Sequence, residues 1–187
     1  MTLRTIVTRL FPALLFTLVI PAVQASEDFK TALEELLERD QRHRGAGSGK
    51  DWWTQQEPLD RENIVRLEEL LEVHEWPRIS EVGEDAAIAA FLVVQHAAVE
   101  YQEKYLPTVR ERYEQGEAKG GWVALLTDRI RVRHGQPQLY GTQSRFDEGS
   151  REFGLYPIQD PEQVDARRAE LGMEALVRPL AGSKARE

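Results

Sequence analysis

The chain has no cysteine among its 187 residues and only four histidines. The absence of thiols excludes disulfide bonds, thiolate chemistry and a lipid-modified N-terminal cysteine. Three patterns that commonly carry chemistry are also missing: a phosphate-binding glycine loop, a Gly-x-Ser-x-Gly turn and a His-Glu-x-x-His helix. We therefore expect neither a metal nor an organic cofactor, and any active site has to be built without such a motif.

The sequence has fewer basic than acidic residues: it contains 24 Lys and Arg and 32 Asp and Glu, which gives a net charge of −8 at pH 7. Nucleic-acid affinity comes mainly from neutralising phosphates, so this balance argues against a nucleic-acid partner. It disfavours anionic lipid surfaces for the same reason. Two explanations of the charge remain open: a cationic or neutral partner, or simple solubility.

A pronounced apolar run lies near the N-terminus. Arg4 and Arg9 precede or flank the apolar stretch from Leu10 to Ile20, and Val23-Gln24-Ala25 presents small residues where a signal peptidase reads them. A membrane-spanning helix needs about 20 apolar residues, and this run is shorter. We therefore expect an export signal that is cleaved, leaving a periplasmic or extracellular protein without a stable membrane anchor.

The sequence divides into four parts: a signal peptide (residues 1–25), an N-terminal helix with a glycine-rich loop (26–58), a single helical domain (59–180) and a disordered tail (181–187). The signal holds two of the basic and none of the acidic residues, so cleavage leaves 162 residues with a net charge of −10. That length suits one domain with a proper core. The loop, Gly45-Ala46-Gly47-Ser48-Gly49, has the composition of a flexible segment.

Apolar periodicity predicts a mainly α fold, a compact domain of five to six helices. Ser26 is positioned to cap the first helix, and Asp60 opens the second. The stretch from Ala86 to Val94 is apolar on every side, which predicts the central, buried helix. This helix is expected to continue in amphipathic form until Leu106-Pro107 breaks it.

The later part of the chain predicts a different local structure. A helix from about Trp122 to His134 is followed by Gly135, which is placed to cap its C-terminal end. Two short extended segments, residues 138–145 and 152–158, then predict a small β-hairpin or an ordered loop pair. Asp160-Pro161 starts the last helix.

Short motifs follow one another along the chain: Trp76-Pro77, Val94-Gln95-His96-Ala97, Asp128-Arg129 and Tyr140-Gly141-Thr142-Gln143. In this order they resemble an uncharacterised bacterial family, catalogued only as a domain of unknown function. The resemblance spans roughly Asp60 to Leu176 and leaves out the first helix and the glycine loop. It implies a shared fold and no particular reaction.

His96 is the main candidate for a functional side chain. It directly follows the apolar helix, with Gln95 beside it and Glu100 one turn later. A semi-buried imidazole with a carboxylate neighbour can act as a general base or ligate a metal. It can equally form a hydrogen bond across the core, as buried polar groups must, and no second histidine stands at ligand spacing.

Asp128 and the segment Gln138-Leu139-Tyr140-Gly141-Thr142-Gln143 each leave two interpretations open. As a helical aspartate among apolar residues, Asp128 either pairs with an arginine such as Arg168 or orients His96. The segment combines polar side chains with a conformationally permissive glycine. It either lines a pocket for a polar ligand or acts as a strand that pins the hairpin to the helices.

Two functions are therefore considered. The first is a non-enzymatic binding or interaction module for an unknown small molecule or protein, with a polar cleft built from Gln95, His96, Arg129, Tyr140, Thr142, Gln143 and Arg168. The alternative is a small hydrolase-like enzyme with His96 as general base, Asp128 as its orienting partner and Gln143 as a donor to developing charge. The lack of an evident nucleophile favours the first. Both require His96 to meet the segment from Tyr140 to Gln143.

The exported protein is expected to begin at Ser26, because the first 25 residues combine a positive start, an apolar stretch and small residues before the cut. Mass analysis of material recovered outside the cytoplasm tests this expectation. Retention of Met1 or Thr2 in that material would contradict it.

Overall fold

A computed structural model describes residues 19–44, 51–147 and 151–176. In these ranges the chain forms a short β-hairpin and seven α-helices: α1 (Val19–Gln41), α2 (Trp52–Leu71), α3 (Ile79–Val82), α4 (Glu84–His96), α5 (Val99–Glu114), α6 (Gly120–Arg133) and α7 (Val164–Glu170). The predicted mainly α domain with a late hairpin is confirmed. None of the helices in the described part of the chain has the length and apolar character needed to cross a membrane.

Helix α4 is the centre of the fold, as its apolar sequence predicts. It packs against α1, α2, α3, α5 and α6. More than half of its residues are buried, namely Ala86, Ala87, Ala89, Ala90, Phe91, Val93 and Val94. Because four of these are alanines, neighbouring helices can approach α4 closely on several sides. Ala97, directly after the helix, is partly buried and packs against the core.

The end of α4 differs from the prediction. The helix stops at His96, because Ala97 and Ala98 adopt extended backbone with ψ of 175° and 155°. The expected break at Leu106-Pro107 is therefore wrong, and Pro107 lies inside α5. The proline removes one backbone donor from α5 but does not end that helix.

A buried glutamine compensates for the early end of α4. Gln102 of α5 donates from Nε2 to the carbonyl oxygens of Gln95 and Ala97, each at 2.9 Å. The last carbonyls of a helix have no intrahelical partner and need donors from elsewhere. The side chain of Gln102 supplies these donors. The end of α4 therefore depends on a polar side chain of α5, which the spacing of apolar residues does not reveal.

The starts of the first two helices also differ from the prediction. Ser26 lies inside α1, and α2 begins at Trp52 instead of Asp60. The buried face of α2 includes Gln56 and Asn63. Because polar residues occupy buried positions of α2, the spacing of its apolar residues does not show where the helix begins. The glycine loop, residues 148–150 and the predicted disordered tail lie outside the described residues.

The end of α6 follows the prediction closely, and a hairpin forms as expected, but its first strand begins at Ser144 and not at Gln138. Gly135 has φ of +69°, its N–H donates to Val132 O at 3.0 Å, and the N–H of Gln136 donates to Arg131 O at 2.8 Å. This pair of bonds is the Schellman arrangement that ends many helices at glycine. The chain then turns back and forms the antiparallel strands β1 (Ser144–Asp147) and β2 (Glu152–Leu155).

Replacing Phe91 by Ala should lower the free energy of unfolding by about 3–5 kcal/mol, because the change leaves a cavity in the core. Phe91 is 2% exposed and stacks on Trp122 with ring centroids 5.2 Å apart. Urea unfolding measures the loss. The control, Val73→Ala, truncates a side chain that is 80% exposed and should change stability by less than about 0.5 kcal/mol. A loss below about 1 kcal/mol for Phe91→Ala would contradict the central position of α4.

Candidate functional site

The C-terminal ends of α1 and α4 meet through a carboxylate–imidazole pair. His96 Nδ1 lies 2.8 Å from Asp40 Oδ1 and 3.1 Å from Asp40 Oδ2. The Asp40 side chain is fully buried, whereas 15% of the His96 side chain is exposed. Nδ1 faces the buried carboxylate, so the opposite edge of the ring, with Nε2, turns away from it. A proton on Nδ1 leaves Nε2 as an acceptor.

This geometry corrects the predicted role of Asp128 as the orienting partner of His96. The partner is Asp40, which the sequence interpretation did not consider. Asp40 follows Leu33 and Leu36 at helical spacing, and all three side chains are buried. The sequence did contain a signal for this role: Asp40 lies on the apolar face of α1, and a buried charge needs a partner.

Further polar groups surround the Asp40 carboxylate. Gln41 Nε2 donates to Oδ2 at 2.7 Å, and Arg44 Nε lies 3.7 Å from the same oxygen. The guanidinium of Arg44 also binds both carboxylate oxygens of Asp60. Gln56 donates to Asp60 Oδ1 at 2.9 Å. The network thus joins the end of α1 to α2 and places a shared positive charge beside Asp40.

Arg129 approaches the same end of α4 from α6. Its Nη1 donates to the carbonyl oxygen of Gln95 at 3.2 Å, while its Nε is buried and has no hydrogen-bond partner among the described residues. The same holds for the buried side-chain Oε1 of Gln95. Burial lowers the pKa of Arg129, and the positive charges of Arg133 and Arg44 lower it further. None of the three arginines of α6 makes an ion pair with a described carboxylate. Arg131 donates to Pro137 O and Gln159 Oε1 instead, which leaves Arg129 and Arg133 to face the cleft.

Asp128 has a different role, which is to hold the loop that precedes the hairpin. Its oxygens accept hydrogen bonds from the backbone N–H groups of Leu139 (2.6 Å), Tyr140 (3.1 Å) and Thr142 (3.0 Å) and from Thr142 Oγ1 (2.9 Å). The carboxylate is fully buried. Of the two open interpretations, neither the arginine pair nor the Asp–His pair is found, because backbone donors bind it instead.

The loop is also held from its other side. The buried side chain of Gln138 donates to Gln143 O at 3.0 Å and to Tyr156 O at 2.8 Å, and it accepts from Gln143 N at 2.8 Å. Arg168 of α7 donates to Tyr140 O at 2.8 Å. Arg168 is therefore directed at a carbonyl of the loop rather than at Asp128. The segment pins the hairpin to the helices, which was one of the two interpretations.

A cleft of about 430 Å³ lies between α6 and the β-hairpin. Its lining residues are Arg129, Val132, Arg133, Gln143, Ser144 and Tyr156. Among the described residues, the lining includes two arginines and several neutral polar side chains but no carboxylate. Among the residues that the structure describes, no group of three acidic or histidine side chains is arranged to bind a metal. The cleft therefore presents positive charge and hydrogen-bond donors.

The predicted site residues thus fall into two groups. Gln95, His96 and Arg129 gather at the end of α4, and their partners come from α1, α5 and α6. Asp128 binds Tyr140 and Thr142 instead. The hydrogen bonds predicted between His96 and this segment are therefore wrong, because His96 contacts Asp40 and Gln95. Gln143 and Arg129 both line the cleft. The sequence interpretation missed Asp40, Arg44 and Arg133 as parts of the site.

Residues 38–181 match a protein family described as a family of unknown function, DUF6624. The match covers more than half of the chain, so the chain belongs to this family, and the resemblance seen in its motifs is confirmed. The match begins inside α1 and so includes Asp40 and the glycine loop, which the motifs did not reach. No curated protein and no solved structure matches the chain.

Replacing Asp128 by Asn should lower the free energy of unfolding by at least about 2 kcal/mol. The change puts an amide NH₂ against backbone donors, and each buried donor left without an acceptor costs about 1–3 kcal/mol. Urea unfolding measures the effect. Asp51→Asn is the matched control, because Asp51 is exposed and makes no side-chain capping bond. Equal stabilities of the Asp128→Asn variant and the unaltered protein would exclude the anchoring role.

Proposed function

We propose that this domain binds a small oxyanionic molecule, one that carries a carboxylate or phosphate group, in the cleft between α6 and the β-hairpin. The observation that carries the proposal is the presence of Arg129 and Arg133 in a cleft that no carboxylate of the described residues lines. Arginine presents several N–H donors in a planar fork that fits carboxylate and phosphate oxygens. A bound oxyanion would provide the missing partner for both side chains.

The electrostatics of the cleft support an anionic ligand. The chain as a whole is acidic, yet Arg129 is partly buried beside like charges that lower its pKa. Burying a charge is costly unless a partner compensates it. An anion between Arg129 and Arg133 would offset the repulsion between their two positive charges.

The size of the cleft and the overall charge support a small ligand in preference to a polymer. A volume of about 430 Å³ lies within the usual range for small-molecule sites, about 300–1,000 Å³. A net charge of −8 repels a polyanion such as nucleic acid at long range, whereas a small anion reaches the local positive charge. Gln143, Ser144 and Tyr156 offer further hydrogen bonds around the bound oxygens.

We also propose that the protein acts outside the cytoplasm, in the periplasm or beyond the cell. The support is the pattern of the first 25 residues. Cleavage after Ala25 would shorten α1 but keep its buried residues Phe29, Leu33 and Leu36 and the site residue Asp40 in the mature chain. The proposed ligand would then be a metabolite met outside the cytoplasm.

Anion binding is tested by thermal unfolding of the purified protein in succinate and in inorganic phosphate, with sodium chloride at matched ionic strength as reference. At ten times the Kd a ligand stabilises by about 1.4 kcal/mol, which raises Tm by about 3–6 °C for a chain of this size. Arg133→Gln should remove most of that rise, because Arg133 is exposed and its loss leaves the core intact.

The control for this test is Arg66→Gln. Arg66 lies on the exposed face of α2 and pairs with Glu69, so its loss changes the net charge equally without touching the cleft. This variant should respond to succinate and phosphate as the unaltered protein does. A Tm that neither anion raises above the chloride reference would refute the proposal, as would an equal rise in the Arg133→Gln variant.

A further inference from the structure

We propose that the oxyanion bound in the cleft is the carboxylate of an aromatic acid, whose ring occupies a second cavity beside the cleft. The inference rests on the proposed binding of oxyanions by Arg129 and Arg133. It adds the part of the ligand that these two arginines do not recognise. A phenyl ring joined to a carboxylate by a short carbon chain, as in 3-phenylpropionate, is a simple member of this class.

The second cavity has a volume of about 250 Å³ and lies between the C-terminal end of α6 and the base of the β-hairpin. Its lining residues include Val132, Pro137, Tyr156 and Pro157. Three of these side chains are aliphatic and the fourth carries an aromatic ring, so this cavity is less polar than the cleft. An apolar cavity of about 150 Å³ is large enough to hold benzene. The second cavity therefore has the size and the lining to receive one aromatic ring.

The cleft and the second cavity adjoin each other. Val132 of α6 and Tyr156, which directly follows β2, line both of them. The two spaces therefore meet along the gap between α6 and the hairpin. On α6, Val132 and Arg133 stand three and four residues after Arg129, a spacing that places all three on one face of the helix. A ligand that extends from the two arginines past Val132 thus reaches the second cavity.

Planar side chains of the second cavity favour an aromatic ring over an alkyl chain. The guanidinium carbon of Arg145 lies 5.6 Å from the centroid of the Tyr156 ring, and both residues line the cavity. Guanidinium and phenol groups both pack favourably against aromatic rings. The backbone of Tyr156 is fixed, because its N–H donates to Gln143 O at 3.1 Å and its carbonyl oxygen accepts from Gln138 Nε2 at 2.8 Å. A ligand ring would therefore meet a wall that is already in place.

The charges around the two spaces separate aromatic acids from aromatic amino acids. Arg129 and Arg133 line the cleft, Arg145 lines the second cavity, and no carboxylate of the described residues lines either of them. An amino acid would bring an ammonium group into this positive surrounding without a partner of opposite charge, which is unfavourable. The ligand class is therefore an aromatic acid that carries no amino group.

The test compares 3-phenylpropionate with propionate, which lacks the ring, and with 3-phenylpropionamide, which lacks the charge. The Kd of each compound for the purified protein follows from the concentration dependence of Tm at matched ionic strength. We expect 3-phenylpropionate to bind at least about tenfold more tightly than either comparison compound, because it alone combines apolar burial with charge pairing. Phenylalanine, which adds an ammonium group to the same skeleton, should bind at least about tenfold more weakly than 3-phenylpropionate.

Tyr156→Ser should remove most of the advantage of 3-phenylpropionate over propionate, while the Kd of propionate changes by less than about twofold. Phe153→Ser is the matched control, because Phe153 is 78% exposed on the same hairpin and lines neither space. This variant should bind all compounds as the unaltered protein does. Circular dichroism reports whether Tyr156→Ser folds. If it does not fold, Val132→Phe decides, because the larger side chain fills the second cavity and should abolish the same advantage.

The outcomes separate this inference from the proposed binding of oxyanions. If succinate or phosphate raises Tm but 3-phenylpropionate binds no more tightly than propionate, the aromatic acid is refuted and oxyanion binding stands. The same conclusion follows if Tyr156→Ser, or Val132→Phe in its place, keeps the full advantage of the ring. Binding of 3-phenylpropionamide as tight as that of 3-phenylpropionate would overturn the inference, because the ring would then bind without the carboxylate. If no anion, with or without a ring, raises Tm, both proposals are refuted.

Discussion

The fully buried carboxylate of Asp40 sets the conditions for the groups around it. Removing a charge from water costs several kcal/mol unless donors replace its hydration. His96, Gln41 and Arg44 meet that need, and they come from α4, from α1 itself and from the turn that follows it. The ends of α1 and α4 are therefore fixed to each other by electrostatics as well as by apolar packing.

Two arginines, Arg44 and Arg129, lie near this end of α4, and Asp40 does not neutralise both of them. Arg44 is shared between Asp40 and Asp60, while Arg129 turns towards the end of α4, where its one hydrogen-bond partner among the described residues is a carbonyl oxygen. The early end of α4 makes this contact possible, because an uninterrupted helix would have engaged that carbonyl in its own backbone bonding. The position of Arg129, which contributes to the charge of the cleft, thus depends on where α4 ends.

The sequence predicts the elements that depend on local signals and misses those that depend on partners far along the chain. Apolar runs identified α4, and Gly135 identified the end of α6, because both signals lie within a few residues. The pairing of His96 could not be read in this way, since Asp40 stands 56 positions away. The sequence indicated that Asp128 is buried. It could not indicate the partners, because backbone N–H groups bind this carboxylate and every residue type except proline has one.

The sequence distance between Asp40 and His96 also determines when the site exists. Helices α1 and α4 can each form from local contacts, whereas their junction requires a long loop to close, and contacts of that kind form late in folding. A chain that is still unfolded, or one whose first helix has not yet docked, has no oriented imidazole. The site is thus completed only when the N-terminal helix settles against the core.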